Sequence, residues 1–286
     1  MTVVESAISR VPGIVGVAAK HLKTGKELRH NADEVFFTAS TKKIPILVEL
    51  YRQVDEGRVS LDERIELTES LRVPGSGVLK ELAPGLQPTL HDLALLMIII
   101  SDNVATDTLY HMVGRERLDE TMQGLGLTRT RIRMGSRDLL YSITGVDGDD
   151  PQGLALVSER LARREFVPDS DALSEERSSV SSPRDMVRLL EIVHGGEVLS
   201  QSSREAVLDI LERQQLGTII PYFLPPGTRV AHKTGGVPTV RCDVGIVYSP
   251  SGPYAAALMA KQVTDVLAID QSLARVSRAI YDEFNG

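Results

Sequence analysis

The sequence contains a single cysteine, Cys242, and no tryptophan. One cysteine cannot form an internal disulfide, and it does not supply the paired thiolates of a structural metal site. A lone cysteine in an apolar strand is usually an inert small hydrophobe, with a thiol nucleophile as the alternative. No His-Glu-x-x-His, Cys-x-x-Cys or acidic calcium-loop pattern occurs, so we expect neither a metal ion nor a cofactor.

Long apolar runs and clusters of positive charge are also missing. The longest apolar run, 93–100, is too short to cross a bilayer. The net charge of −7 argues against nucleic acid or an anionic membrane as the main partner. Residues 1–12 do not resemble a signal peptide, so we expect a cytoplasmic protein unless an export signal was removed. The oligomeric state is not indicated.

Apolar residues make up 42% of the 286 residues, which is enough to form a large core. Segments typical of strands lie near both ends, and helical patterns lie between them. This predicts an α/β fold, more closely an α+β sheet flanked by helices, with an inserted all-helical domain. The predicted domains are 1–38 with 200–286 for the sheet, and 39–199 for the insert, which includes a long acidic loop region at 144–182.

Helical periodicity and capping signals locate the predicted helices. One helix starts near Ile44 and stops at Gly57. Thr89 and Asp92 form a capping-box pattern before a helix that is apolar all round, which is typical of a helix buried in the middle of a domain. The remaining predicted helices are 116–125, 154–164, 183–193, 203–215 and 266–284, and the predicted strands are 14–18, 229–233, 243–248 and 254–259.

Three short motifs carry chemically useful residues. Ser40-Thr41-Lys42-Lys43 is an S-x-x-K pattern at a helix start, where a spacing of three places hydroxyl and amine on one face. A lysine that is desolvated or close to another cation loses its proton more easily and can then accept the serine proton. Ser101-Asp102-Asn103 follows the apolar helix, and Lys233-Thr234-Gly235-Gly236 ends a strand. The glycines allow a substrate backbone to lie close to that strand.

Each motif alone has an ordinary explanation: a helix N-cap with a solvated lysine, a helix C-terminal turn, and a glycine turn. All three occur once, in the order and contexts typical of class A β-lactamases and penicillin-binding proteins. The sequence therefore resembles this family of serine hydrolases over nearly its whole length. The resemblance implies a β-lactamase/transpeptidase-like fold.

The resemblance also implies catalytic roles. Ser40 would attack a carbonyl and become acylated, with Lys43 as a candidate base. Ser101 would pass a proton to the leaving group, helped by Lys233. The backbone N–H groups of Ser40 and Gly236 would form the oxyanion hole.

Substrate binding is implied for five further residues. Asn103 would bind a side-chain amide of the substrate, and Thr234 with Lys233 would hold a carboxylate. Gly235 would let the substrate lie against the strand. Arg241 would be a second cation for the carboxylate or, equally, a solvated arginine on a strand edge. Ser76, within the small-residue segment 73–77, would lie on the cleft rim opposite Asn103 and leave the cleft open.

One family feature is absent. Class A β-lactamases position the deacylating water with a glutamate in an E-x-x-L-N segment, and no such segment occurs here. In the corresponding stretch 130–140, Ser136 stands where the glutamate belongs. Asp138 has a shorter side chain and lies two residues away, while Asp147, Asp149 and Asp150 belong to an acidic run that is typical of solvated surface. We therefore expect acylation to proceed and deacylation to be slow.

Several functions fit this combination. The first is a serine hydrolase that acts on a β-lactam, ester or amide carbonyl. The second is a biosynthetic esterase or transacylase that passes the acyl group to another acceptor. The third is a penicillin-binding protein that is acylated and stays so, and a D-alanyl-D-alanine peptidase is a further alternative that requires export.

Overall fold

The computed structural model describes residues 3–286. Most strands lie near the two ends of these residues with most of the helices between them, and pairing of the first strand with the last joins the two ends. In chain order the elements are α1 (Val3–Ile8), β1 (Ile14–His21), β2 (Glu27–His30), β3 (Phe36–Phe37), α2 (Lys43–Asp55), α3 (Leu90–Ile99), α4 (Asn103–Val113), α5 (Arg115–Gly124), α6 (Ser136–Thr144), α7 (Gly153–Arg163), β4 (Val180–Ser181), α8 (Pro183–Gly195), α9 (Gln201–Glu212), β5 (Arg229–Val237), β6 (Val240–Ser249), β7 (Gly252–Lys261) and α10 (Val266–Asn285).

The main sheet has five antiparallel strands in the order β2-β1-β7-β6-β5. β1 pairs with β7 along its length, with Val17 opposite Leu258, so the sheet is built from both ends of the chain. β5 is an edge strand, and the Lys-Thr-Gly motif lies on it. β3 and β4 form a separate two-stranded sheet. The predicted α+β fold is confirmed.

Alternation along the strands builds a separate core on each face of the sheet. On β7, Ala255, Ala257 and Met259 belong to the core shared with the central helices. Ala256 and Leu258 belong to the core beneath α1 and α10. Both faces are therefore covered, and the strands read as nearly continuous apolar runs because neither side meets water.

The central helices include the predicted apolar helix, α3. The Thr89 side chain accepts a hydrogen bond from the Asp92 backbone at 3.1 Å, and the Asp92 carboxylate accepts one from the Thr89 N–H at 2.9 Å. This capping box satisfies N–H groups that have no partner inside the helix. Leu93 and Met97 are fully buried, but Leu95 and Leu96 are only half-buried, so the helix is not packed on every side as predicted.

The segment after α3 differs from the prediction of a loop. The Asp102 side chain accepts a hydrogen bond from the Ala105 N–H at 3.1 Å, so Asp102 is an N-cap and Asn103 is the first residue of α4. α4, α6 and the short α1 were absent from the predicted elements. α4 was not predicted because its polar residues do not lie on one solvent-exposed face. Thr106 and Asp107, for example, are buried by neighbouring segments. The two predicted domain boundaries stay predictions.

Candidate active site

Ser40 lies at the entrance to α2, in a 3₁₀ turn that spans Ala39–Lys42. The turn begins with Ala39 at a φ of +45°, a left-handed conformation that costs free energy for a residue other than glycine. The α-helix starts only at Lys43. Ser40 is half-buried and lines a cavity of about 320 Å³.

Lys43 is fully buried, and its amine has three hydrogen-bond partners. It donates to the Ser101 carbonyl at 2.8 Å, to the Ser101 hydroxyl at 3.0 Å and to the Asn103 side-chain oxygen at 3.1 Å. The spacing of three predicted contact with the Ser40 hydroxyl, whereas the hydrogen bonds of the amine go to Ser101 and Asn103.

Three effects lower the pKa of Lys43 well below its usual value. Burial is the largest, because an ammonium ion in a low-dielectric environment is poorly solvated. The positive charge of Lys233 is the second, and that of Lys42 is the third. A neutral amine at this position can accept a proton, which an ordinary surface lysine at neutral pH cannot do.

Ser101 occupies the junction between α3 and α4 with a φ of +59°. It is 4% exposed, and its hydroxyl is held by the Lys43 amine. Its carbonyl also accepts a hydrogen bond from the Ser76 hydroxyl at 2.8 Å. The strained backbone therefore persists because contacts on both sides fix it.

The Lys-Thr-Gly strand lies against the nucleophile turn. A side chain at Gly235 would place its Cβ 2.8 Å from the Thr38 carbonyl oxygen and 3.1 Å from the Ser40 backbone nitrogen. Only glycine permits this approach of β5 to the turn. Gly236, one residue further on, lines the same cavity as Ser40. Thr234 pairs with Asp243 in the β5–β6 ladder and does not line the cavity.

Lys233 is completely buried at the start of the motif. Its amine donates to the Thr234 carbonyl at 2.8 Å. Burial lowers the pKa of Lys233 to about 7, and the negative charge of Asp243 opposes that shift. Asp243 is itself held by His232 Nδ1 at 2.9 Å and by the Ile220 N–H at 2.8 Å. The Lys233 amine is therefore partly protonated near physiological pH.

Arg241 is opposite Gly236 in the β5–β6 register. Its guanidinium donates to the Val237 and Val240 carbonyls at 2.9 and 2.8 Å, and its Nε lies 3.4 Å from the Asp270 carboxylate. It is adjacent to the strand that forms the site but is not part of the cavity wall. Burial lowers its pKa.

Asn103 and Ser76 form another wall of the cavity. The Asn103 amide donates to the Pro74 carbonyl at 2.9 Å, and its backbone N–H donates to the Ser76 carbonyl at 3.0 Å. Asp102 fixes the same loop, because its carboxylate accepts from the N–H groups of Val78 and Leu79 at 2.7 and 3.0 Å. Ser76 therefore contacts Asn103 directly rather than facing it across the cleft.

The remaining wall contains Ser136, at the start of α6. Asp107, which sequence reasoning did not identify, accepts the N–H groups of Ser136 and, at 2.7 Å, of Arg137. A carboxylate at a helix N-terminus satisfies unpaired N–H groups and stabilises the positive end of the helix. Asp107 thereby takes over the capping that Gly135, which lacks a side chain, cannot provide.

Lys42 is a second residue that the sequence analysis did not single out. It is 2% exposed, and its amine donates to the carbonyls of Met134 and Gly135 at 2.7 and 2.9 Å. Burial lowers its pKa to about 8, opposed by the charges of Asp107 and Asp138.

Carboxylates are absent from the cavity wall within residues 3–286. Asp138 is exposed on the outer side of α6. Asp147 and Asp150 accept backbone hydrogen bonds in the turns before α7. The full lining is Ala39, Ser40, Lys42, Gly75, Ser76, Asn103, Ser136, Leu139, Leu140, Leu161, Gly236 and Val237.

Comparison with known proteins places this arrangement in a family. The model of the beta-lactamase enzyme family matches residues 2–284. A β-lactamase structure from Sphaerobacter thermophilus is 30% identical, with a TM-score of 0.82 over 99% of this chain and 95% of that one. The structure of PBP-A is 32% identical, with a TM-score of 0.81 over 99% and 94%. A leucine-to-glutamate variant of PBP-A is known as its acyl-enzyme complex with penicillin G.

Among curated proteins, a β-lactamase from Rhodobacter capsulatus is 31% identical over 148 residues. That match covers 51% of this chain and about half of the Rhodobacter enzyme. The AER-1 β-lactamase of Aeromonas hydrophila is 24% identical over 98% of this chain and 84% of its own length. The resemblance inferred from the three motifs is confirmed: the chain belongs to the beta-lactamase enzyme family and is a β-lactamase-like hydrolase.

Proposed function

We propose that this protein forms an acyl-enzyme at Ser40 from a β-lactam, ester or amide and releases the acyl group slowly. The observation that carries the proposal is the buried hydrogen bond between Lys43 and Ser101 beside a cavity that Ser40 and Gly236 share. The pair supports the roles of base for Lys43 and proton carrier for Ser101, next to Ser40 as the hydroxyl nucleophile.

Acylation would use the neutral form of Lys43. The Ser40 oxygen bonds to the carbonyl carbon, and its proton goes to the Lys43 amine. Lys43 then returns a proton to Ser101, whose own hydroxyl proton goes to the leaving nitrogen or oxygen as the carbonyl bond to that atom breaks. The Lys43–Ser101 hydrogen bond at 3.0 Å supports this transfer.

The backbone of the site favours the charge that develops on the carbonyl oxygen. The N–H groups of Ser40 and Gly236 would donate to it, and the close packing of Gly235 against the Ser40 nitrogen supports their proximity. Removing one such donor typically slows turnover about a hundred- to a thousandfold.

The substrate would be held by groups around the same cavity. Asn103 and Ser76 would contact the acyl side chain, because both line the wall next to the nucleophile. Lys233 and Thr234 would hold a substrate carboxylate. Arg241 would act on that carboxylate through the field of its charge, since its hydrogen bonds are already made to strand carbonyls.

Slow release follows from the wall around Ser136. Leucine and valine side chains line the cavity beside it, and no carboxylate within residues 3–286 does so. A water molecule there lacks the general base that usually contributes about a hundred- to ten-thousandfold. The same observation favours a second candidate function, transfer of the acyl group to an amine or alcohol that needs less activation than water.

The test is to incubate the protein separately with a penicillin and a nitrophenyl ester and to follow intact mass and product. We expect a mass increase equal to the acyl group that persists after free donor is removed. Ser40→Ala should form no adduct, whereas Ser9→Ala, at an exposed serine, should behave as the parent protein. An adduct on Ser40→Ala would overturn the proposal. Discharge by an added amine or alcohol would establish the transfer function.

The expected partner remains a small-molecule substrate, and the exclusion of nucleic acid stays a prediction. Within residues 3–286 no helix has the length and apolar character needed to cross a membrane. The cytoplasmic location also stays a prediction.

A further inference from the structure

A second cavity of about 430 Å³ adjoins the one that contains Ser40. The two share Gly75 and Leu161 in their walls. A side chain at position 75 would place its Cβ 3.0 Å from Leu140 and 2.9 Å from the Asn103 amide. The absence of a side chain at Gly75 therefore keeps the passage between the cavities open.

This outer cavity lies between α7 and the segment 72–81. The α7 side is formed by Leu154, Ala155 and Leu161, with Ser158 as its polar member. The other side carries two cations, Arg72 and Lys80, and one carboxylate, Glu81. A largely apolar wall that faces a wall of net positive charge suits a ligand with an aliphatic chain and a negative end.

The charges on the cationic side are arranged to receive such a ligand. Arg72 pairs with Glu69 at 2.9 Å, and Lys80 pairs with Glu81. The side chains of the cations are 29% and 23% exposed, whereas those of the acids are 66% and 71% exposed. Arg72 lines the cavity and its partner Glu69 does not, whereas Lys80 and Glu81 both line it. Exposed pairs of this kind contribute about 1 kcal/mol or less, so a ligand carboxylate can compete with them.

The position of the passage identifies which part of a substrate would enter. Gly75 lies beside Asn103 and Ser76, the residues proposed to contact the acyl side chain. The strand proposed to hold the carboxylate, β5, borders the first cavity through Gly236 instead. The outer cavity is therefore on the acyl side of the nucleophile.

We propose that the outer cavity is a binding subsite for an aliphatic acyl chain that ends in a carboxylate, with Arg72 and Lys80 as its anion-binding residues. The inference rests on the proposed function, because it assigns the acyl donor of the same site. It names the chemical class that the protein prefers as substrate: dicarboxylic monoacyl groups rather than short or neutral ones.

The test compares three 4-nitrophenyl esters, those of acetate, hexanoate and adipate, the last with a free carboxylate. The measured quantity is kcat/KM for nitrophenolate release in the acylation phase. We expect the adipoyl ester to exceed the hexanoyl ester about tenfold, since hydrogen bonds to charged groups are worth about 1.5–3 kcal/mol. In the Arg72→Gln/Lys80→Gln double variant this adipoyl-to-hexanoyl ratio should fall to about one.

A second variant tests the cavity independently of its charge. Ala155→Trp, at an exposed position of α7, should fill the cavity and slow both six-carbon esters relative to acetate. Ala162→Trp is the matched control, since Ala162 is exposed on the same helix outside the cavity wall. Absence of any acylation of the parent protein by the acetyl ester would overturn the proposed function itself. Acylation with an adipoyl-to-hexanoyl ratio near one, or a ratio that survives in the double variant, would overturn only the subsite.

Discussion

The two sides of the cavity differ in what they bury. On the nucleophile side, Lys43, Ser101 and Lys233 are buried polar groups with hydrogen-bond partners. On the opposite side, around Ser136, the wall consists largely of leucine and valine side chains. Burying an ammonium group costs free energy, which is seen in the lowered pKa of both lysines. Such a cost is typical of a functional site. On the second side the buried cation in the cavity wall is Lys42, whose amine is bound to the Met134 and Gly135 carbonyls.

This contrast separates the two halves of the expected reaction. In the proposed reaction, forming the acyl-enzyme uses the hydrogen-bonded pair of Lys43 and Ser101 beside Ser40. Breaking it with water requires a base near Ser136, and the carboxylate closest to that position, Asp107, is occupied by the N–H groups that start α6. The contrast can be tested by removing a polar group from the first side or by adding a carboxylate to the second.

Replacing the buried lysine should produce the largest effect. Lys43→Met removes the proposed base while keeping a side chain of similar length, and we expect acylation by a penicillin to slow about a thousandfold. The measurement is the second-order rate constant for adduct formation by intact mass. Lys23→Met, at an exposed lysine, is the control. A loss smaller than tenfold would mean that Lys43 is not the base.

Adding a carboxylate on the opposite side should produce the next largest effect. In Ser136→Glu, a carboxylate faces the cavity at the position of the missing glutamate, and deacylation should accelerate about a hundredfold. Ser136→Gln has nearly the same size without the charge and should leave the adduct lifetime long. The lifetime is measured after excess penicillin is removed. Equal lifetimes for the two variants would show that a carboxylate there does not activate water.

The nucleophile side was more accessible to sequence reasoning than the opposite one. The three motifs are short, local patterns, and the periodicity around them predicted the bounds of α2, α3 and the C-terminal strands closely. The acidic stretch 144–182 yielded one predicted helix at 154–164, and α7 occupies Gly153–Arg163. Patterns of this kind depend on neighbours in sequence, so they can be read without coordinates.

Lys42 and Asp107 could not be identified in that way. Lys42 meets the carbonyls of Met134 and Gly135, which are 92 and 93 residues away. Asp107 is a helix residue whose carboxylate caps a different helix. Both roles arise from tertiary packing, and a lysine or aspartate on a helix is more often solvated. The hydrogen bonds of Lys43 to Ser101 and Asn103 likewise join residues 58 and 60 positions apart, which the spacing of Ser40 and Lys43 does not reveal.

The pH dependence of acylation distinguishes the two lysines of the nucleophile side. Lys43 must be neutral to accept a proton, so the rate should fall as the pH drops below its pKa. Lys233 must be charged to hold a substrate carboxylate, and its pKa of about 7 means that this charge is lost as the pH rises. For an anionic penicillin, kcat/KM should therefore decline at both acidic and alkaline pH.

The alkaline decline is about tenfold for each pH unit beyond the controlling pKa. The neutral ester nitrophenyl acetate should show no alkaline decline of kcat/KM. Lys233→Arg should move the decline for an anionic penicillin to higher pH, because a guanidinium remains charged in this range. An alkaline decline that is identical for the neutral ester and for Lys233→Arg would assign it to a different group.

Lys42 connects the two sides, and replacing it should have the smallest effect on rate. Its positive charge contributes to the lowered pKa of Lys43, so Lys42→Met should raise that pKa and move the acidic decline of acylation to higher pH by less than one unit. It should also free the carbonyls of Met134 and Gly135, which increases amide hydrogen exchange at the start of α6. In the Ser136→Glu background, a loosened segment should lose part of the gained deacylation rate, because the new carboxylate is held less firmly. The contrary result is that Lys42→Met leaves both the amide hydrogen exchange at the start of α6 and the acidic decline of the acylation rate unchanged. That result would show that the two sides of the cavity act independently and differ only in their residue composition.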